Sequence, residues 1–418
     1  MNNNWQKTMQ VFDEYERRFA QARADKKLRF FTEEGVREQV IEETKQLLAY
    51  DENKVPEIRN LEEISSADFD TYSVTELRYE TWEHFYGSAS LYVPFGEKKC
   101  PLVFLCCGHG EYGRLSPGYR AMGHRLAKLG MAVMIPDNIG QGDRTPFGHW
   151  DVVGPFYCGL TLQGMIVMET IALIRHMQKD ERFDASRFGA CGNSGGGTLT
   201  MFLAALAPEL AVISSSGYPS EFSYLFEKER KHCACNLLPG VVYGPEMWEI
   251  YSVFAPKPML LEHGKCDHLL PYDLAKRNGR KVQNTYIQMG AEDKFKDEFT
   301  ETKHSWEKED MDLISKFLSE ELLGVTPEDM DEKDLLDEED MEPYLVSMPQ
   351  EAISTDQVAQ KLTGICMPEG TTLSDIYQPT YQGEILQKEE IIQDIGRGDV
   401  MRVLAQMECA FAKKRKGE

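Results

Sequence analysis

Between residues 100 and 290 the chain alternates between short apolar runs and longer segments with helical periodicity. The apolar runs fall at 102–107, 132–135, 188–191, 211–214, 259–261 and 285–289. Helical patterns occupy 119–129, 160–177, 197–206 and 309–323. Short strands that are apolar on both faces, separated by helices, predict a mostly parallel sheet covered on both sides, a doubly wound α/β architecture. Two stretches ahead of it, 77–82 and 89–94, alternate in polarity as antiparallel strands do. Residues 1–70 read as helical. Trp5, Met9, Phe12, Tyr15 and Phe19 recur at three- and four-residue steps, a second helix is expected at 34–48, and Pro56 closes the region. This extension is expected to pack on the main domain, with a lid or an oligomer contact as the alternative. Two further helices are expected at 385–395 and 401–411.

Charge changes this picture in one place. The formal net charge is −23, and residues 320–342 hold about a dozen acids against Lys333 alone. The division that follows is a helical extension at 1–70, a catalytic domain at 71–325, an acidic linker at 326–342 and a C-terminal extension at 343–418 that is a candidate lid or oligomer contact. An acidic surface disfavours nucleic acid as a partner, and Lys413-Lys414-Arg415-Lys416 reads as a solvated tail. No apolar run reaches the ~18 residues of a membrane span, and the N-terminus lacks a signal-peptide pattern. The ten cysteines sit mostly in apolar runs, which points to reduced thiols and a cytoplasmic setting.

Gly192-Asn193-Ser194-Gly195-Gly196 matches G-x-S-x-G, with an apolar strand before it and a helix-forming run after it. A strand-to-helix turn of this kind lifts a serine hydroxyl above the sheet. The helix N-terminus then aims free N–H groups at developing negative charge. A serine needs a base to take its proton, and on such a scaffold the chain order is serine, acid, histidine. Asp267, in the turn after the 259–261 strand, is the candidate acid, with Glu262 and Asp273 as alternatives. His304 is the candidate base, because it follows what reads as the last strand, 284–289, and precedes the final helix. His263 and His268 are its competitors. The oxyanion donors are expected to be the backbone N–H of Gly195 and that of Glu111, with Gly110 as second choice. His109, Trp150 and Tyr157 are candidate pocket residues, each equally readable as packing, and His149 and Phe156 lie among them.

The stretches LCCGHGEYGR, MIPDNIGQGDR, GLTLQGMIVMETIALIRHM, RFGACGNSGGGT, HCACNLLPG and FAPKPMLLEHGKCDHLLP resemble the acetyl xylan esterase and dienelactone hydrolase-related branch of the α/β-hydrolases. The resemblance spans residues 75–325. It implies ester hydrolysis, often of acetyl groups on sugars, without a cofactor, with Ser194, Asp267 and His304 as triad and Glu111 and Gly195 as oxyanion donors. Two positions depart from the cephalosporin-C deacetylase type: Gly195-Gly196-Gly197 stands in place of Gln-Gly-Gly, and Ser305 in place of a glutamate after the histidine. The implied function is a serine esterase for small acyl groups on a small-molecule ester. Two competing readings are a prolyl-oligopeptidase-like peptidase or amidase and a non-catalytic hydrolase-fold binding protein. A homo-oligomer is left open.

Two motifs suggest other chemistry. His232-Cys233-Ala234-Cys235 offers at most three metal ligands, with no second Cys/His pair nearby in sequence. Structural zinc needs four, so a packed cap loop is expected and no metal. Gly140-Gln141-Gly142-Asp143 lacks the third glycine and the helix of a phosphate loop, so a loop near the active site is expected.

Overall fold

The protein is described by a computed structural model that covers residues 3–96, 99–225, 233–328, 342–377, 380–382 and 384–386. Nine strands form one sheet: β1 (Arg59–Asp68), β2 (Tyr72–Glu80), β3 (Tyr86–Pro94), β4 (Cys100–Cys106), β5 (Ala132–Pro136), β6 (Phe183–Asn193), β7 (Val212–Ser216), β8 (Met259–Gly264) and β9 (Phe295–Thr300). Their spatial order is β1-β2-β3-β5-β4-β6-β7-β8-β9. β1, β2, β3 and β5 pair antiparallel in series, and from β5 through β4 to β9 every pairing is parallel.

The helices are α1 (Asn3–Asp25), α2 (Val36–Leu48), α3 (Pro117–Lys128), α4 (Gly154–Tyr157), α5 (Leu162–Met177), α6 (Gly195–Leu206), α7 (Phe222–Leu225), α8 (Met247–Ser252), α9 (Tyr272–Gln288), α10 (Lys308–Leu323) and α11 (Thr355–Thr363). Two apolar layers cover the sheet. One, with α5, α6 and α8, is built around Phe104, Phe188, Met168 and Phe202; the other, with α3 and α10, around Val103, Leu105, Met122 and Phe317. Each such side chain taken out of water contributes about 1.5–3 kcal/mol. No helix among the described residues is long and apolar enough to cross a membrane.

The architecture is the mixed, mostly parallel α/β sheet that the apolar runs imply, with two local corrections. Residues 1–70 are not wholly helical, because β1 lies within them. It is a polar, largely exposed edge strand with two register shifts against β2, so it carries no apolar alternation to read. The last strand is not 284–289, which is the end of α9. There Val282, Thr285 and Tyr286 are buried at helical spacing with Ala275, Asn278 and Gly279. The true last strand is β9, Phe-Lys-Asp-Glu-Phe-Thr, whose polar centre suits an edge position.

The C-terminal segment, as far as it is described, packs against the sheet and its loops. The Tyr344 carbonyl accepts from Arg114 Nη2 and the Val346 N–H donates to Asp143 Oδ2. At the start of α11, Asp356 Oδ1 accepts from the backbone N–H groups of Val153 and Gly154, and Thr355 Oγ1 donates to the Gly148 carbonyl. α11 therefore braces the 148–157 segment. Most of the acidic linker, most of the 385–395 helix, the 401–411 helix and the lysine-rich tail lie outside the described residues.

Candidate functional site

The chain turns from β6 into α6 at Ser194, which has φ 59° and ψ −119°. A non-glycine residue held at positive φ costs about 1–3 kcal/mol, and the neighbours keep it there. The Ser194 N–H donates to the Ser216 carbonyl at 3.0 Å, and the Ser194 carbonyl accepts from Thr198 N–H at 2.9 Å. The flanking glycines are required by close approach. A Cβ on Gly196 would lie 1.9 Å from the Cys106 carbonyl oxygen, and one on Gly192 would lie 2.4 Å from the Gly196 oxygen. Removing both side chains lets α6 enter directly over β4.

The other predicted residues arrive from the ends of neighbouring strands. Asp267 follows β8 and His304 follows β9. Ser194 Oγ stands 2.8 Å from His304 Nε2, and His304 Nδ1 stands 2.7 Å from Asp267 Oδ2. Asp267 Oδ1 accepts from the backbone N–H groups of Leu269 and Leu270 at 2.7 and 3.0 Å. Burial would raise this carboxyl, but its hydrogen bond and charge interaction with His304 and these two N–H groups outweigh burial and hold it below its ordinary value. A fixed carboxylate on Nδ1 leaves the Nε2 lone pair facing the serine.

The alternatives sit elsewhere. Glu262 accepts from Thr300 Oγ1, and Asp273 lies in the first turn of α9. His263 donates through Nε2 to the Leu270 carbonyl at 2.8 Å, and its burial favours the neutral imidazole.

Gly195 is the first residue of α6, so its N–H has no partner one turn back in the helix. The loop after β4 lies alongside. Gly108 N–H donates to the Tyr119 hydroxyl at 2.6 Å, and a Cβ on Gly108 would come within 3.1 Å of the Ser194 Cβ. Gly110 and Glu111, two and three residues on, are exposed.

His109 and Trp150 come together, with ring centroids 5.4 Å apart. His109 Nδ1 lies 3.0 Å from the position of a Cβ on Gly195, so its ring lies against the Ser194 turn. Trp150 is 47% exposed and also packs edge-on against His149. Tyr157 is half-buried at the end of α4 against the core.

The loop after β5 is held by a buried ionic network that the motifs do not announce. Arg114 is fully buried and pairs with Glu76 (3.0 Å), Asp137 and Asp143 (each 2.5 Å). Arg144 forms a two-pronged pair with Glu169 at 2.6 and 2.8 Å. These pairs hold the 137–147 loop, including Gly140-Gln141-Gly142-Asp143, against β2, β3 and α5. The only hint in the sequence is arginine placed among apolar and glycine residues.

No family model matches the chain. Over 210 residues it is 25% identical to "Putative hydrolase YtaP" of Bacillus subtilis (strain 168), covering 47% of this chain and 70% of that protein. Among solved structures it is similar to Methylesterase BT1017, with a TM-score of 0.59, 21% identity and coverage of 78% of this chain and 72% of that one. It is also similar to a "putative acetyl xylan esterase" of Bacteroides fragilis NCTC 9343, with a TM-score of 0.51, 15% identity and coverage of 63% and 74%. The fold is that of the α/β-hydrolases.

Proposed function

We propose that this protein is a serine esterase that hydrolyses small, acetyl-type acyl esters, with acylated carbohydrates as the substrate class. The observation that carries this reading is the unbroken hydrogen-bonded chain from Ser194 Oγ through His304 to Asp267, set at a strained turn above the sheet. Ser194 Oγ attacks the ester carbonyl while His304 Nε2 takes its proton. The Gly195 and Glu111 N–H groups, with Gly110 beside them, receive the oxyanion. His304 returns the proton to the leaving alcohol, and water then attacks the acyl-enzyme with His304 again as base. Asp267 keeps the His304 Nδ1–H pointed at itself and stabilises the imidazolium.

The exposed turn at Gly110 and Glu111 and the exposed Trp150 leave the serine approachable by a small polar ester. His109, Trp150 and Tyr157 are assigned to the acyl or leaving-group side. Two proteins of similar fold carry the names methylesterase and "putative acetyl xylan esterase", which is in keeping with this substrate class. No disulfide joins cysteines among the described residues, in keeping with a cytoplasmic setting.

The test is a matched panel: acetylated xylose oligomers, a methyl uronate ester and an acetyl anilide of equal size. The reading predicts turnover of the acetyl sugar at least tenfold above the anilide. Faster cleavage of the anilide would favour the amidase reading, and binding without turnover of any of them would favour a binding protein.

A further inference from the structure

Beside the nucleophile, three separate segments bring four metal-type donors to one point. His109 comes from the loop after β4, His149 from the loop before α4, and Cys233 and Cys235 from the segment between β7 and β8. One donor atom from each lies within 4.8 Å of all the others. His109 Nε2 is 3.0 Å from His149 Nε2 and 3.3 Å from Cys235 Sγ. Ligands around a tetrahedral zinc ion stand about 3.3–3.8 Å apart, so the cluster is close to that size. His149, Cys233 and Cys235 are 3%, 2% and 4% exposed.

The outer contacts fit the same chemistry. His149 Nδ1 lies 2.7 Å from the Ile139 carbonyl and donates to it. That fixes the tautomer and leaves the Nε2 lone pair facing the cluster, the arrangement metal-bound histidines adopt. Two Nε2 atoms 3.0 Å apart are satisfied either by an N–H of His109 donated to His149 or by a cation that both lone pairs face.

We propose that His109, His149, Cys233 and Cys235 bind one zinc ion in a closed, four-ligand structural site that ties the oxyanion loop and the cap segment to the nucleophile turn. Binding converts two thiols to thiolates and releases two protons, so the buried site is neutral overall: one dication against two thiolates and two neutral imidazoles. With four protein ligands there is no open position for a water, so the ion acts on shape rather than on the ester. Its leverage comes from His109, whose neighbours Gly110 and Glu111 are the proposed oxyanion loop and whose ring touches Gly195. The binding claim stands whether or not the protein is an esterase, and its readout needs no turnover.

The experiment uses the full chain under reducing conditions. Metal content is measured as purified, the protein is stripped with a chelator, and Zn2+ or Co2+ is then added back. The expected result is one metal per chain. The Co2+ form should show thiolate-to-cobalt charge-transfer absorption and the intense visible bands of a tetrahedral site. Ser194→Ala should keep both features, and Cys233→Ser/Cys235→Ser should lose them with at least a tenfold drop in bound metal. Wild-type protein that is reduced, folded and still binds less than a tenth of an equivalent with a featureless Co2+ spectrum overturns the proposal, and this arm needs no variant to fold. A Cys233–Cys235 disulfide in the isolated protein overturns it too if the protein still takes no metal after reduction.

Discussion

At the residue scale, two carboxylates behave oppositely because their surroundings differ. Asp267 stays ionised because His304 and two backbone N–H groups face it. Asp267→Asn keeps the shape but lets His304 turn its Nε2–H toward Ser194, so kcat on an activated ester should fall by about 10⁴ with little change in fold. Steady-state kinetics with a circular dichroism control checks this, and unchanged kcat would remove Asp267 from the mechanism.

Glu262, by contrast, is buried, and burial with the nearby Asp310 charge pushes its carboxyl well above the ordinary carboxylate range. Its folded form therefore holds a proton that the unfolded chain has released. The resulting stability is greatest below the ordinary carboxylate range and is lost as pH rises through the raised folded value. Glu262→Gln, which keeps a neutral group there, should flatten the fall in unfolding free energy between about pH 5 and 8. Urea titrations at several pH values test this, and an unchanged slope would assign the proton elsewhere.

The residues of the hydrogen-bonded chain were legible in the sequence because each sits just past a strand, in a fixed order. The four-donor cluster was legible only in part. Cys233 and Cys235 announce themselves, but His109 is 126 positions from Cys235 and 40 from His149, and no spacing rule joins donors that only the sheet brings together.

At the element scale, the buried parallel strands β4 to β8 could be read from apolar runs, because both of their faces are covered. The two edges could not. β1 and β9 are polar where water reaches them, and the end of α9 is apolar where it meets the sheet, so local hydrophobicity pointed to the wrong segment. His304 still followed the last strand, because the misread helix and β9 are adjacent in the chain.

The buried Arg114 network is the element-scale device that fixes the loop after β5. Arg114→Met would leave Glu76 and Asp137 buried without their counter-charge, and should cost about 3–5 kcal/mol. Equilibrium denaturation measures this, and a loss below about 1 kcal/mol would mean that the carboxylates neutralise or reach water. A milder test concerns α11. Asp356→Ala removes the acceptor for two N–H groups at the start of α4, so it should destabilise by about 1–3 kcal/mol. It should also raise KM more than it lowers kcat, because α4 and Trp150 lie on the proposed acyl or leaving-group side.

At the scale of the whole molecule, about half of the net charge of −23 falls in one acidic segment, whereas the proposed site occupies the point where β4, β6, β8 and β9 end together. The sheet places Ser194, Asp267 and His304 together, Ser194 caps the N-terminus of α6, and the C-terminal segment braces the 148–157 loop. The central claim is that Ser194, activated by His304, is the nucleophile. Hydrolysis of p-nitrophenyl acetate by wild type and by Ser194→Ala tests it most directly. The account predicts turnover by wild type, and a loss of at least about 10³-fold in kcat/KM for a variant that melts at the same temperature. Equal rates for the two proteins would contradict it.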